Sequence, residues 1–127
     1  MNRSRGIGAR GERIASQWLR RRGWRVLHRN HRVGLDEIDI VAESPDGKLM
    51  ACIEVKTASR SAGTPPLCRV DGRKQHRLLR SARRVAPGYP NHLVRIDIMT
   101  VQVGGWRRAR VHHLPGAVPN RQGQAIR

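Results

Sequence analysis

The 127-residue chain carries 26 Lys and Arg against 9 Asp and Glu, a formal net charge of +17 at pH 7. A field of this size repels basic partners and attracts polyanions, so we expect nucleic acid, and DNA first, as the partner. No run of about 18 apolar residues occurs, and the basic start lacks the apolar segment of a secretory signal. We therefore expect a cytoplasmic protein without a membrane partner.

The supply of cysteine and aromatic residues excludes two further classes of protein. Cys52 and Cys68 form neither a CxxC pair nor a Cys/His metal pattern, so we expect reduced thiols and no zinc centre. With no Phe, one Tyr and three Trp, the chain is unlike the RRM-like and OB-like proteins that stack bases on aromatic side chains. Arginine contacts with backbone phosphates are the expectation.

The first third of the chain predicts a helix and a short strand. Residues 1–10 are rich in Gly and Arg and are predicted to form a basic flexible arm. From Gly11 the apolar residues recur at helical spacing as far as Gly23, which predicts the first helix and its end. Residues 24–29 predict a strand, and residues 30–35 predict a loop.

The centre of the chain predicts a hairpin that carries acidic residues. Residues 37–42 and 48–57 alternate apolar and polar positions around a Pro-Asp-Gly turn. Two registers fit that turn, and they place either Glu37 or Asp39 opposite Glu54. In both registers the acids share one face, at about 4.5 to 8 Å between opposed and diagonal partners.

The last part of the chain predicts a second helix and two strands. Residues 58–70, rich in Ser, Gly and Pro, predict a loop that covers the acidic strand. Asp71 is predicted to cap a helix that ends at Pro87, and strands at 92–103 and 106–114 follow.

The predicted order is helix, three strands, helix and two strands. This order predicts one α/β domain over residues 11–114, with a mixed central sheet flanked by helices. Residues 115–127 have little apolar surface to bury and are predicted to form a flexible tail.

The acids of the two central strands are candidates for a metal site. Hydrolysis of a phosphodiester needs positive charge that stabilises the phosphate, and it needs an activated water. Mg²⁺ supplies both. Mg²⁺ usually takes only one or two carboxylates, so Asp39 and Glu54 suffice. Lys56 lies on the same face as Glu54 and can orient the water or neutralise the developing oxyanion. The alternative is a polar face that is solvated or paired with Arg, although like charges opposite each other make it costly.

A known pattern emerges at these residues. Asp39 followed by Glu54-Val55-Lys56 resembles the D…ExK core of the PD-(D/E)XK nuclease superfamily, whose restriction-endonuclease-like αβββαβ core agrees with the predicted order. More narrowly, most of residues 5–114 resembles the bacterial YraN-type family, with matches at Gly11-Glu12, Ala15, Leu19, Gly23, Asn30, Glu37-Ile38-Asp39 and Glu54-Val55-Lys56-Thr57.

The resemblance implies roles for six residues. It implies that Mg²⁺ or Mn²⁺ is bound by Asp39, Glu54, the Val55 carbonyl and, through water, Glu12. It also implies a catalytic lysine at Lys56 and a polar site residue at Gln75. The resemblance departs at Asp36, where we expect glycine, and this leaves the identity of the second acid open.

Several of these residues have a competing structural interpretation. Glu12 fits equally well as an acid at a helix start, where the macrodipole favours it. Glu37 fits a salt bridge with a nearby Arg better than ligation. Gln75 fits a merely exposed residue, and Asp97 is expected to pair with arginine.

Two functions are compatible with the sequence. The first is a metal-dependent nuclease that cuts DNA, including branched or structured DNA, and the second is a nucleic-acid-binding protein that has the nuclease-like fold without cutting. A homodimer that cuts two strands is compatible with the resemblance. The residues expected to contact nucleic acid are Arg10, Arg20, Arg21, Arg32, Arg60, Arg73 and Lys74.

Overall fold

In the computed structural model, strands with alternating or continuous apolar residues form a five-stranded sheet that lies between two helices. The structure describes residues 3–59, 71–104, 108–118 and 126, with the backbone alone for residues 3–5. The elements are α1 (Arg3–Arg21), β1 (Arg25–Val33), β2 (Asp36–Glu43), β3 (Leu49–Ser59), α2 (Gly72–Val85), β4 (Leu93–Val103) and β5 (Arg110–Leu114). The predicted order of helix, three strands, helix and two strands is confirmed.

The sheet is mixed, as the sequence predicts for an α/β protein. Its strands lie in the order β1-β2-β3-β4-β5, and only β3 and β4 run parallel among these described strands. A parallel pair needs a crossover connection, and α2 lies in that connection. Asp71 caps α2 as predicted, because its side chain accepts a hydrogen bond from the Lys74 N–H at 2.8 Å.

Both faces of the sheet are covered, so the core is divided into two clusters. The α1 side contains Ala15, Leu19, Ile40, Ala42, Ala51, Ile53, Met99, Val101 and Val103. The α2 side is built around Leu78, Ala82 and Val85 of the helix and Val41, Met50 and Ile96 of the sheet. Successive residues of β3 face opposite clusters, which is why this strand reads as a continuous apolar run.

Two element boundaries differ from the sequence predictions. Residues 3–10 belong to α1 and not to a flexible arm, because the apolar stripe extends back to Ile7, which packs against the α1-side cluster. β1 runs through the predicted loop at 30–35 as far as Val33, since its backbone pairs with β2 up to Asp36. The hairpin is closed by Gly34 and Leu35 alone.

Two residues of the predicted tail belong to the core. Val118 and Ile126 are buried against the α2-side cluster, so apolar residues too widely spaced to predict an element still contribute to the core. Residues 119–125 lie outside the described part, as do the covering loop predicted after Ser59, at 60–70, and residues 105–107 before β5. Within the described residues, neither helix is long and apolar enough to cross a membrane.

Candidate metal centre at the split between β2 and β3

The site is created by two neighbouring strands that separate. β2 pairs with β3 from Glu43↔Met50 to Ile40↔Ile53, and the register stops there. Beyond that point β2 remains paired with β1, and β3 remains paired with β4. Continued by one residue, the register places Asp39 opposite Glu54, so the second of the two predicted registers is confirmed.

The Asp39 side chain bridges the two strands just beyond the end of their backbone pairing. Its Oδ2 accepts a hydrogen bond from the Val55 N–H at 2.8 Å, where the ladder between β2 and β3 has ended. Burial and then the negative charge of Glu54 raise the pKa of Asp39 to about 7, and the charges of Glu12 and Glu37 add to this. The hydrogen bond from Val55 opposes the rise. The carboxyl group is therefore held where its negative charge is poorly stabilised by the protein.

Glu54 has basic partners from α2. Its Oε1 lies 3.2 Å from Lys74 Nζ and 3.4 Å from Arg77 Nη2, and its side chain is 12% exposed. The first turns of α2 thus lie over the end of β3. Lys74, predicted to contact phosphate, is paired with Glu54 in this structure.

Glu12 reaches the site from the other side of the sheet. Burial raises the pKa of Glu12, and the charges of Glu37 and Glu54 act in the same direction, while a hydrogen bond from Asn30 opposes them. The alternative of a helix-start acid is excluded, because α1 begins at Arg3 and the dipole effect falls off within the first turn.

Gly11 sets how closely α1 approaches β3. A Cβ atom at this position would overlap the side chain of Thr57, so only glycine allows the observed contact. The next residue along the helix is Glu12. The approach of α1 to the end of β3 thereby brings the third carboxylate near the other two.

The donor set fits a hard divalent cation bound by two carboxylates. Asp39 and Glu54 offer oxygen ligands, and a cation between them would relieve the repulsion that raises the pKa of Asp39. Within the described ranges, no three His, Cys, Asp or Glu side chains are grouped so that they could hold a metal ion. A direct three-carboxylate set is thus not formed by these described residues.

Lys56 and Gln75 lie beside these acids. Lys56 is half-buried, two residues after Glu54 on the same face of β3, and pairs in register with Thr100 of β4. Gln75 is half-buried and precedes Leu78 by three residues, on the stripe of α2 that faces the sheet. It is therefore not a merely exposed residue.

Two further acids have other partners. Both carboxylate oxygens of Asp36 accept hydrogen bonds from Arg80 at 2.9 Å, and these bonds hold the pKa of Asp36 below its ordinary value. Asp36 is thus the charge partner of Arg80 in this structure. Glu37 is exposed and lies opposite Arg32 in the β1–β2 register.

Asp97 forms a separate buried cluster. Arg95 donates to its two oxygens at 2.6 and 2.9 Å, and His113 Nε2 lies 2.8 Å from Oδ2. The Gly116 N–H donates to Oδ1 at 2.9 Å. The prediction that Asp97 pairs with arginine is confirmed, and the cluster ties β4 to the segment after β5.

The predicted phosphate contacts do not all lie at the site. Arg32 and Arg73 are exposed near it, and Arg10 is exposed on α1 two residues before Glu12. Arg20 and Arg21 are exposed at the far end of α1, about 12 Å along the helix from Glu12 at about 1.5 Å per residue. Arg60 lies outside the described residues.

Sequence reasoning missed two arginines of α2. Arg77 and Arg80 bind Glu54 and Asp36, which lie far from them in the chain. Their three-residue spacing after Lys74 is the signal that could have identified them, since residues three apart share one side of a helix.

Proteins similar to this chain occur in several bacteria. The model of the "Uncharacterised protein family UPF0102" matches residues 11–101. A "UPF0102 protein" of Beutenbergia cavernae is 41% identical over 112 residues, which are 87% of this chain and 93% of the relative. One from Alkaliphilus metalliredigens is 34% identical over 116 residues, 90% of this chain and 98% of the relative. One from Myxococcus xanthus is 36% identical over 115 residues, 89% of each chain.

One solved structure shows a low similarity. It is Pyrococcus furiosus SfsA in complex with Ca²⁺, with a TM-score of 0.41 and 15% identity over 89% of this chain. This chain covers 64% of the SfsA chain, and a likeness of this size does not bear on function. Family membership rests instead on the sequence matches. The chain belongs to family UPF0102, the YraN-type family of the restriction-endonuclease-like superfamily.

Proposed function

We propose that the protein is a metal-dependent nuclease that hydrolyses phosphodiester bonds in DNA. One observation carries this proposal. Where the pairing of β2 with β3 ends, Asp39 lies opposite Glu54 in the continued register, and Lys56 lies on the same face of β3 as Glu54. When bound, Mg²⁺ or Mn²⁺ supplies positive charge for the phosphate and a more acidic water. Asp39 and Glu54 would hold the ion, and Val55 fixes the Asp39 carboxylate through its N–H.

The surrounding cations have separate tasks in this proposal. Lys56 donates a hydrogen bond to the attacking water or to the developing oxyanion. Lys74 and Arg77 lie beside Glu54 and would neutralise the phosphate oxygens next to the scissile bond. The exposed Arg32 and Arg73 would contact the backbone further along the strand.

A second function is favoured by one specific observation. Glu54 is paired with Lys74 and Arg77, so α2 brings basic side chains to the acidic site that would also contact phosphate. A protein that uses the fold to bind nucleic acid without cutting it would need only such basic contacts. Divalent-ion-dependent cleavage by the pure protein separates the two functions.

The test is a cleavage screen with linear, nicked, flapped and four-way DNA in Mg²⁺ and in Mn²⁺. We expect the parent to cut at least one of them, and Asp39→Asn and Glu54→Gln to lose cutting while still binding DNA in EDTA. Asp46→Asn is the matched control, because Asp46 is an exposed turn acid bonded to Ser44 and Lys48. Cleavage by both site variants at the parental rate would show that the site is wrong.

A further inference from the structure

The tip of the β1–β2 hairpin, formed by Gly34 and Leu35, presents a leucine completely to solvent. The relative exposure of Leu35 is 101%, whereas the other exposed large apolar residue of the described chain, Leu93, is 59% exposed. Single apolar residues on a surface are ordinary. Leu35 differs because the tip that carries it is held in place by a helix.

Two arginines of α2 contact the residues on either side of Leu35. Gly34 has φ 63°, and the Arg84 guanidinium lies where a Cβ atom at residue 34 would stand. Asp36, on the other side, accepts two hydrogen bonds from Arg80 at 2.9 Å. The leucine side chain thus lies at a turn that contacts α2 on both sides, and none of the described residues covers it.

The surroundings of the tip suit a polyanion. Arg32 precedes the tip and is exposed, and Arg84 beneath the tip is also exposed, whereas Arg80 is paired with Asp36. These charges would repel a basic partner and attract the phosphates of DNA. Leu35 and Asp39 belong to the same end of the hairpin, and four residues of extended strand separate them by about 13 Å. DNA whose phosphate lies at Asp39 can therefore also reach the tip.

We propose that Leu35 is an apolar wedge that inserts between neighbouring bases of DNA bound at the acidic site. Leucine is one of the side chains that proteins insert between base steps, with nearby basic residues holding the phosphates. Unstacking is least costly where a base is already mismatched or unpaired. The inference rests on the proposed function, and it assigns the substrate class as DNA with a branch, bulge or other interruption of stacking.

The experiment measures unstacking directly and does not depend on cleavage. A flapped duplex and a four-way junction carry 2-aminopurine next to the branch point, and a continuous duplex carries it centrally. Each is titrated with full-length protein in EDTA, so that no strand is cut. We expect the parent to increase 2-aminopurine fluorescence on the branched DNAs more than on the duplex, and Leu35→Ala to lose most of that increase.

The controls separate a wedge from a general loss of binding. Leu35→Met keeps an apolar side chain of similar size and should keep the increase, and Leu93→Ala should match the parent. Leu35→Ala should keep the parental slope of log affinity against log salt, because that slope counts phosphate contacts. Circular dichroism of each variant checks folding.

Each contrary result has a distinct meaning. Binding by the parent without a fluorescence increase, or an equal increase with Leu35→Ala, would overturn the wedge and leave the nuclease proposal standing. A change from dimer to monomer in Leu35→Ala, with unchanged fluorescence, would also overturn it and assign the tip to a contact between two copies. No binding to any DNA by the parent would overturn both proposals.

Discussion

The chemistry of individual residues in this protein depends on what lies across the sheet from them. Asp39 and Asp97 are both buried to a large extent, yet their pKa values move in opposite directions. Asp39 is surrounded by other carboxylates, whereas Asp97 accepts hydrogen bonds from Arg95 and His113. Burial alone therefore does not decide whether a carboxylate is a functional candidate, and the charge of its neighbours does.

The first residue-scale prediction concerns metal binding and stability. In EDTA at pH 8, Asp39→Asn should melt several degrees above the parent, because it removes a negative charge opposed by burial and by Glu54. Mg²⁺ or Mn²⁺ should raise the melting temperature of the parent by mass action and that of Asp39→Asn much less. Thermal melts with EDTA and with saturating metal measure both effects.

The structure makes Glu54→Gln different from Asp39→Asn. It removes the partner of Lys74 and Arg77, so its metal-free melting temperature should not rise. Asp46→Asn should keep the metal-induced shift of the parent. Equal metal-induced shifts in Asp39→Asn, Glu54→Gln and the parent would mean that these carboxylates are not the ligands.

The second residue-scale prediction concerns Asp97. Burial alone would raise its pKa, and the hydrogen bonds from His113 and Arg95 bring the pKa below the ordinary value of 3.8. Its stabilisation is therefore complete above pH 3.8 and is lost as the pH falls through the lowered pKa. Asp97→Asn should lower the free energy of unfolding at pH 7 by about 3–5 kcal/mol, the cost of breaking a buried pair.

Urea denaturation between pH 2 and pH 7 measures the contribution of Asp97 to stability. Asp97→Asn should lose less stability than the parent over the acid part of that range. Asp71→Asn is the control, because Asn caps a helix about as well as Asp and Asp71 is exposed. An unfolding free energy for Asp97→Asn equal to that of the control would contradict the prediction.

At the scale of elements, the distance between α1 and β3 decides whether Glu12 belongs to the site. The helix carries Glu12 in its third turn, and the sheet carries Asp39 and Glu54. The contact between Gly11 and Thr57 sets this distance, since the Thr57 side chain occupies the space of a Cβ atom at residue 11.

The element-scale prediction follows from that contact. Gly11→Ala should destabilise the protein by about 1–3 kcal/mol, the usual cost of overpacking, and should weaken metal-induced stabilisation. Gly8→Ala, on the same helix with nothing within 4 Å of the added Cβ, should be neutral or stabilising. Urea denaturation and metal titration of melting temperature measure the two effects.

A second substitution shows whether the contact itself is responsible. Thr57→Ala removes two of the three atoms that a Cβ at residue 11 would meet, so it should restore part of the stability lost by Gly11→Ala. Strictly additive effects of the two substitutions would contradict this explanation.

At the scale of the whole molecule, the net charge of +17 is distributed over surfaces with different roles. Lys74, Arg77 and Arg80 are partners of carboxylates, whereas Arg32 and Arg73 are exposed near the site. The arginines at the end of α1 lie further away. The net charge alone thus overestimates the number of basic side chains that contact one bound nucleic acid.

The prediction at this scale is a salt dependence that separates near from distant arginines. Log affinity for duplex DNA should fall steeply with log salt, by about 0.9 per phosphate neutralised. Arg73→Ala should reduce the slope by about one contact, and Arg21→Ala should leave it unchanged. Fluorescence anisotropy in a salt series measures this, and a flat plot for the parent would remove nucleic acid as the partner.

The spacing of neighbouring residues in the sequence predicts the order of the elements and the acids of the candidate site. The positions of apolar residues and turn residues predict the element order, and the acids of the central hairpin share one face in either register. Asp39, Glu54 and Lys56 could be chosen from the sequence because a strand alternates its faces every two residues. The Asp71 cap could be predicted for the same kind of reason, since it involves residues three apart.

Only the tertiary structure decided which partners these residues have. The register that opposes Asp39 to Glu54, the pairing of Asp36 with Arg80 and the burial of Val118 and Ile126 all join residues distant in the chain. Local spacing carries no information about such contacts, because they depend on how the elements pack. The sequence by itself determined the acids of this protein and their face, and packing decided which basic side chains of α2 lie beside Glu54 and Asp36.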